Sequence, residues 1–113
     1  MEDYIEMIYR NNNNITVKEL ANNLNVKASS VSKMANRLKK LDLIIFEKYS
    51  KIYLTKKGIK LGKCLLWRHN VLTNFFKKLN KSEYNLEQVE KIEHFIDLKT
   101  IININNLIKK TNL

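Results

Sequence analysis

The sequence predicts a mainly α-helical protein with one short β-hairpin. Apolar residues recur at helical spacing along most of the chain. Two neighbouring runs, LIIFEKY and KIYLT, are instead rich in β-branched and aromatic residues, which favour strands. The 113 residues include no proline, only two glycines and no low-complexity segment, so we expect no flexible additional domain.

The first two predicted helices are short. DYIEMIYR has helical spacing and runs into a turn at residues 11–14. Thr16 and Glu19 then form a capping-box pattern at the start of the helix VKELANNL. The side chains expected to face inward from these helices are Tyr4, Ile5, Ile8, Tyr9, Leu20, Ala21 and Leu24.

A helix-turn-helix follows from the next segment. Asn25 and Val26 interrupt the chain, and a basic helix rich in Ser and Asn begins near Ala28. The two strand runs come directly afterwards, around a turn expected at residues 49–51. This order is the winged helix-turn-helix pattern, whose second helix reads DNA. The alternative is a helical pair and a hairpin that only pack together. The third helix is expected to bury Val31, Met34, Leu38 and Leu41.

Charge supports the DNA-binding interpretation. The chain has 21 basic and 11 acidic residues, a net charge of +10. Nine basic residues but only two acidic ones lie between Lys27 and Lys57, where the helix-turn-helix and hairpin are predicted. We expect Asn36 and Arg37 to reach base edges, and Ser and Lys side chains to hold phosphates. The predicted DNA contacts are Lys27, Ser29, Ser30, Ser32, Lys33, Asn36 and Arg37, with Lys48 and Lys51 in the wing.

The second half is predicted to be helical throughout. Thr55 can cap a long helix from about Lys56 to Leu79, and Asn85 with Gln88 marks another helix start. The tail FIDLKTIININNLIKKTNL is more apolar than a solvent-facing helix should be. We therefore assign helices 85–110 and part of 59–79 to a homodimer interface, although the tail covering its own core is an alternative. The expected division is a DNA-binding domain at 1–58 and a helical metal-binding and dimerisation domain at 59–113.

Several classes of protein are not favoured. The chain contains no run of about 18 apolar residues that would span a membrane. Its start, MEDYIEMIYR, lacks the basic and then apolar order of a signal peptide. The lone Cys64 is expected to be a buried thiol that cannot form a disulfide framework. We expect a cytoplasmic protein without a small-molecule substrate.

One motif outside the basic region suggests metal binding. VEKIEHF places Glu90, Glu93 and His94 at i, i+3 and i+4, on one face of a helix. The other histidine of the chain follows an arginine in LWRHNVL, and the first helix adds a pair of acids three residues apart. Each of these is explained singly by a solvated face or by a helix dipole. The metal-competent residues are Asp3, Glu6, His69, Glu90, Glu93 and His94.

The chain resembles the diphtheria toxin repressor family, and within it the manganese transport regulators. The resemblance runs in order over residues 1 to about 110, through MEDYIEMIY, VKELANNLNVKASSVSKMANRLKKLDLI, EKYSKIYLTKKG, WRHNVLTNF and VEKIEHF. It implies a metal-activated repressor of metal-uptake genes that dimerises through its helical region and binds a palindromic operator in double-stranded DNA. The family's metal ligands carry over onto Asp3 and Glu6 in EDYIE, His69 in WRH, and Glu90, Glu93 and His94 in VEKIEH.

The ligand types favour manganese. The iron-sensing branch of the family carries Met and Cys where this chain has Glu6 and Glu90, and a further Glu and His where it has Thr73 and Leu86. Carboxylates and imidazoles without sulfur suit Mn(II), while Fe(II) and other divalent transition metals stay possible. The resemblance implies two ions per subunit.

The chain also departs from the family. Ala28 stands where a proline commonly precedes the Ser-Ser pair, and Ser50-Lys51 replaces an Arg-Gly wing tip. We expect no SH3-like third domain of the iron-type members. The sequence ends sooner than those of many manganese-type members, so a weaker dimer is also an expectation.

Three other functions compete with a metal-activated repressor. The main alternative is a metal-independent winged-helix regulator in which the six residues are surface charges. A small carboxylate-bridged metalloenzyme is another. An architectural DNA-coating protein is the third, and it predicts metal-independent binding to any sequence with a steep salt dependence.

Overall fold

A computed structural model describes residues 1–46, 51–81 and 85–111 of the chain. Its elements are the helices α1 (Glu2–Arg10), α2 (Val17–Leu24), α3 (Ala28–Lys40), α4 (Lys56–Asn80), α5 (Leu86–Ile92) and α6 (Leu98–Thr111), the strands β1 (Ile44–Phe46) and β2 (Ile52–Leu54), and a 3₁₀ turn at Glu93–Phe95. They form two compact units, the first unit Met1–Leu65 and the second unit Leu66–Leu113. The functional division into 1–58 and 59–113 stays a prediction.

The core of the first unit gathers apolar side chains from α1, α2, α3, both strands and the start of α4. Ile5, Ile8, Leu20 and Leu38 are all fully buried, as their spacing predicts. The prediction for Leu41 was wrong, because this side chain is 48% exposed. α3 ends at Lys40, so Leu41 is the C-cap residue and no longer follows the helical spacing that would turn it inward.

The two strands pair antiparallel, with Ile44 opposite Leu54 and Phe46 opposite Ile52. The far edge of β2 is bonded by the asparagine turn that follows α1. Ile52 donates its amide to the Ile15 carbonyl at 2.7 Å, and the Leu54 amide donates to the Asn13 side-chain oxygen. The turn predicted at residues 49–51 lies largely outside the described residues.

Side-chain caps fix where the helices begin. The Thr16 hydroxyl accepts a hydrogen bond from the Glu19 amide at 3.1 Å and donates to the Glu19 carboxylate at 2.9 Å. Thr55 caps α4 in the same way, since its hydroxyl accepts a hydrogen bond from the Gly58 amide at 3.1 Å. It also donates to the Asp42 carbonyl at 2.7 Å, which ties the start of α4 to the loop after α3. Both predicted threonine caps are thus confirmed.

The second unit has its own small core. Val71, Leu72, Val89 and Ile101 are buried together, with Phe76, Ile96 and Ile104 packed against them. The cap at Asn85 differs from the predicted box, because its side-chain oxygen accepts from the Glu87 amide at 2.9 Å. Cys64, at the end of the first unit, is half-buried rather than buried. Within the part of the chain that the structure describes, no helix has the length and apolarity needed to cross a membrane.

Gly58 allows α4 to approach the loop before β1. A Cβ at this position would overlap the Leu43 carbonyl oxygen, which is backbone and already accepts the Thr55 amide at 3.0 Å. At Gly62 a Cβ would instead meet the Tyr9 ring, at 2.8 Å from Cγ. A ring can shift more easily than a backbone carbonyl.

We therefore expect Gly58→Ala to destabilise the protein by about 1–3 kcal/mol, the usual range for overpacking. Gly62→Ala should cost less, because the higher helix propensity of Ala offsets part of the strain. Urea unfolding followed by circular dichroism measures both. Equal stability of Gly58→Ala and the wild type would contradict the close approach of α4 to Leu43.

Candidate metal centre and nucleic-acid interface

α3 presents a polar, basic face to solvent. Val31, Ala35 and Leu38 are buried along one side of the helix, which leaves the other side for the predicted DNA contacts. Six of those residues are exposed, and Ser32 is half-buried. Lys51 is exposed before β2, and Lys48 lies outside the described residues. The exposed contacts on and beside α3 are Lys27, Ser29, Ser30, Lys33, Asn36 and Arg37.

Two further lysines bind backbone carbonyls instead of facing solvent alone. Lys39 donates from Nζ to the Phe46 carbonyl at 3.3 Å and so links α3 to β1. Lys57 donates to the Leu41 carbonyl at 3.1 Å, at the C-terminal end of α3. Cations near a helix C-terminus also interact favourably with its dipole. Part of the basic cluster therefore holds the first unit together.

The two acids of α1 differ in exposure. Asp3 is exposed, and its Oδ1 lies 3.2 Å from the Met1 amino group and 3.1 Å from the Tyr4 amide. Glu6 is buried, with its Oε2 3.6 Å from Arg10 Nη2 one turn further along. A buried carboxylate is costly unless positive charge compensates it, so Glu6 stands out among the acids of the first unit.

The second unit brings three of its four predicted ligands together. Nδ1 of His69, on α4, lies 2.7 Å from Oε2 of Glu93. Nε2 of His94 lies 3.8 Å from Oε1 of the same carboxylate. The Glu93 residue is only 3% exposed. Glu90, the fourth predicted ligand of this unit, is exposed on α5.

The prediction that Glu90, Glu93 and His94 share one α-helical face was wrong. α5 ends at Ile92, and Glu93–Phe95 form a 3₁₀ turn. A 3₁₀ turn has three residues per turn instead of 3.6, which changes the directions of the side chains that follow. Glu93 therefore points inward while Glu90 stays in solvent.

Sequence reasoning missed Arg68, which lies beside this group. Arg68 is only 8% exposed, and its Nη2 lies 3.1 Å from Nδ1 of His94. The available signal was its place next to His69 in LWRHNVL, because a buried arginine needs anionic or acceptor partners nearby.

Comparison with known proteins identifies the family of this chain. The sequence profile described as "Iron dependent repressor, N-terminal DNA binding domain" matches residues 1–52. The HTH-type transcriptional regulator MntR of Geobacillus kaustophilus is 39% identical over an alignment 113 positions long, which covers 96% of this chain and 80% of that protein. The chain belongs to the iron-dependent repressor family.

Solved structures support the same membership. ScaR with bound Zn²⁺ superposes with a TM-score of 0.83 at 29% identity. The manganese regulator SloR gives 0.80 at 28%. Each match covers 96% of this chain but 53% of the solved chain, so this chain spans about half the length of either protein.

Membership in the iron-dependent repressor family confirms two predictions. The fold is mainly helical, with a DNA-binding domain and a two-stranded antiparallel wing followed by further helices. The chain is a transcriptional regulator rather than an enzyme, which removes the metalloenzyme alternative.

The residues around Glu93 fit a divalent cation. The group supplies a buried carboxylate and two imidazoles, which are oxygen and nitrogen donors without sulfur. The His69–Glu93 contact at 2.7 Å places two of these donor side chains next to each other. Such donors suit Mn²⁺ and related ions better than they suit the softer cations.

Asp97 fixes the start of α6 shortly after the ligand-bearing 3₁₀ turn. Its Oδ1 accepts the Thr100 amide at 2.8 Å. Hydrogen bonds from the Thr100 hydroxyl and then from its amide lower the pKa of Asp97 below the ordinary value of 3.8. The ionised carboxylate is therefore the form that the folded protein favours.

The lowered pKa of Asp97 makes the stability of the protein depend on pH. The stability contributed by Asp97 should be fully present above pH 3.8 and should be lost as the pH falls through the lower folded-state pKa. We expect the melting temperatures of wild type and Asp97→Ala to converge as the pH decreases below that value. Asp97→Asn is the control, since Asn also caps helices but does not titrate. If the difference in melting temperature between wild type and Asp97→Ala did not change with pH, the lowered pKa of Asp97 would be contradicted.

Proposed function

We propose that this chain is a Mn(II)-activated repressor of metal-uptake genes. The observation that carries the proposal is the buried Glu93 carboxylate with His69 at 2.7 Å and His94 at 3.8 Å, in a chain of the iron-dependent repressor family. The relative SloR is described as a manganese regulator. The hard donor set favours the same ion here.

The proposed centre holds two ions per subunit. Four carboxylates balance the charge of two divalent cations, and the two imidazoles complete the donor set. Fe(II), Zn(II) and other divalent ions are competitors, and ScaR was solved with bound Zn²⁺. DNA binding measured in parallel with Mn²⁺, Fe²⁺, Zn²⁺ and Mg²⁺ tests the choice of ion. The proposed ligands are Asp3, Glu6, His69, Glu90, Glu93 and His94.

The switch depends on charge. Without a cation, the carboxylates of α1 and those around α5 repel one another if they approach, which disfavours any arrangement that gathers them. A bound divalent cation supplies the opposite charge and makes the gathered arrangement favourable. Because α1 packs into the core of the first unit with α2 and α3, fixing α1 also fixes the reading helix. This is a bias on an equilibrium between two arrangements.

The proposed functional form is a cytoplasmic homodimer on a palindromic operator. The second unit exposes large apolar side chains that its own core does not cover, with Phe95 at 89% exposure. Leu98 and Ile102 are also exposed and share one side of α6. Two reading helices about 34–36 Å apart in such a dimer would match two half-sites one helical turn apart.

The metal-independent regulator is the main competing function. It predicts the same DNA affinity with and without divalent ions, and no Mn²⁺ binding below about millimolar concentration, which corresponds to a binding free energy of only about −4 kcal/mol. Calorimetry with Mn²⁺ distinguishes the two functions directly.

We expect Glu93→Ala to abolish the stimulation of DNA binding by Mn²⁺, because it removes the buried oxygen donor that both imidazoles approach. His94→Ala should act in the same direction. The measurement is fluorescence anisotropy on a DNA site selected from a random pool by the Mn²⁺-loaded protein. Glu87→Ala is the matched control, since Glu87 is an exposed acid of α5 that pairs with Lys91 at 3.0 Å. An unchanged Mn²⁺ response in Glu93→Ala would refute the proposed centre.

Arg37→Ala should weaken DNA binding without changing metal binding. Arg37 is exposed on α3. Loss of a base contact weakens DNA binding by about 1–3 kcal/mol, which is about 5-fold to 160-fold in affinity. Affinity for Mn²⁺ should stay unchanged, as calorimetry without DNA can show. Lys109→Ala, which removes an exposed charge on α6, controls for net charge. Equal loss of DNA and metal affinity would mean that the reading helix is misassigned.

A further inference from the structure

Arg68 holds one ring nitrogen of a proposed ligand. Its Nη2 lies 3.1 Å from Nδ1 of His94. A guanidinium has five N–H donors, no acceptor, and keeps its charge in proteins. In this contact Nδ1 of His94 must therefore offer its lone pair, and in the neutral ring the proton resides on Nε2.

This arrangement leaves the His94 ring without a lone pair for a cation. A metal ligand must be a neutral imidazole with an unprotonated nitrogen facing the ion. If Nδ1 binds the ion, this nitrogen can no longer accept the hydrogen bond from Arg68. If Nε2 binds the ion, the proton moves to Nδ1. Nδ1 is then a donor that faces the N–H donors of Arg68, and the two groups cannot form a hydrogen bond. Either way, the contact with Arg68 has to break.

The positive charge of Arg68 also disfavours its presence beside a bound cation. The Arg68 guanidinium is buried beside His94, and so is the Glu93 carboxylate on the other side of that ring. A buried anion is tolerated when positive charge lies nearby, and Arg68 supplies such charge within the second unit. A divalent cation bound at the same place would bring two more positive charges close to the guanidinium, which disfavours their coexistence.

We infer that Arg68 competes with the metal ion for His94 and so sets the ion concentration at which the regulator responds. The inference rests on the proposed function. In the metal-free protein the guanidinium bonds Nδ1 of His94, whose Nε2 faces the buried Glu93 carboxylate. Loading the centre displaces the guanidinium, and the free energy of breaking this contact is subtracted from the affinity for the ion.

The direct test is Mn²⁺ affinity of the full chain carrying Arg68→Met. Met keeps an unbranched apolar stem but has no donor and no charge. We expect its Mn²⁺ dissociation constant to fall about tenfold, the size of one hydrogen bond to a charged group. The electron paramagnetic resonance signal of free aqueous Mn²⁺ gives the bound fraction. Lys99→Met, an exposed residue of α6, makes the same change in net charge and should leave the affinity unchanged.

A second comparison shows whether the effect acts through His94. His94→Ala weakens Mn²⁺ binding on its own under the proposed function, and adding Arg68→Met in that background should give no further gain. An equal gain with and without His94 would overturn competition for the ring, as would an unchanged or weaker affinity in Arg68→Met. If neither wild type nor Arg68→Met binds Mn²⁺, the proposed function falls and the inference falls with it.

Nitrogen NMR of wild type decides the question even if Arg68→Met does not fold. In the metal-free protein, His94 should show an unprotonated Nδ1 and a protonated Nε2, with an Arg68 hydrogen bond to Nδ1. Adding diamagnetic Zn²⁺ should remove that bond. A protonated Nδ1 in the metal-free protein, or an Arg68 contact that persists at saturating Zn²⁺, would overturn the inference without touching the proposal of a metal centre.

Discussion

A carboxylate removed from water must be surrounded by positive charge or hydrogen-bond donors, and Glu93 imposes this requirement on the second unit. His69 lies 2.7 Å from it, and His94 lies within 3.8 Å and is itself held by Arg68. These side chains come from α4 and from the 3₁₀ turn after α5, so the requirement also fixes how the two segments meet. The side chains around Glu93 are therefore held in place from both segments.

The first unit presents the basic helix α3 to solvent. α3 buries Val31, Ala35 and Leu38 against the core and exposes the opposite side. Its C-terminal end is held by lysine contacts to backbone carbonyls and by the close approach of α4 at Gly58. A DNA-binding helix held at several points loses little conformational entropy when it binds, which suits the proposed role of α3 in recognition.

Much of this arrangement was predictable from sequence because it depends on local rules. Thr16 and Thr55 cap helices through bonds to residues three positions ahead, and the spacing of Ile5, Ile8, Leu20 and Leu38 defines the buried sides. The donor residues around Glu93 were likewise recognisable from their types and from the family resemblance.

The errors occurred where helix ends decide the outcome. Leu41 keeps the helical spacing in sequence but lies just past the end of α3, and Glu93 lies just past the end of α5. Helix ends depend on small free-energy differences that tertiary packing can override. Arg68 was not predicted for another reason. It contacts His94, which lies 26 residues away along the chain, and no local sequence pattern encodes such a contact.

The asparagine turn after α1 has a consequence for self-association. In a two-stranded sheet each strand has an outer edge, and backbone groups left open on such an edge can recruit a strand from another molecule. Here the amides of Ile52 and Leu54 are taken by Ile15 and by the side chain of Asn13. The outer edge of β2 is thereby closed to strand addition, so another molecule cannot extend the sheet through the amides of this strand.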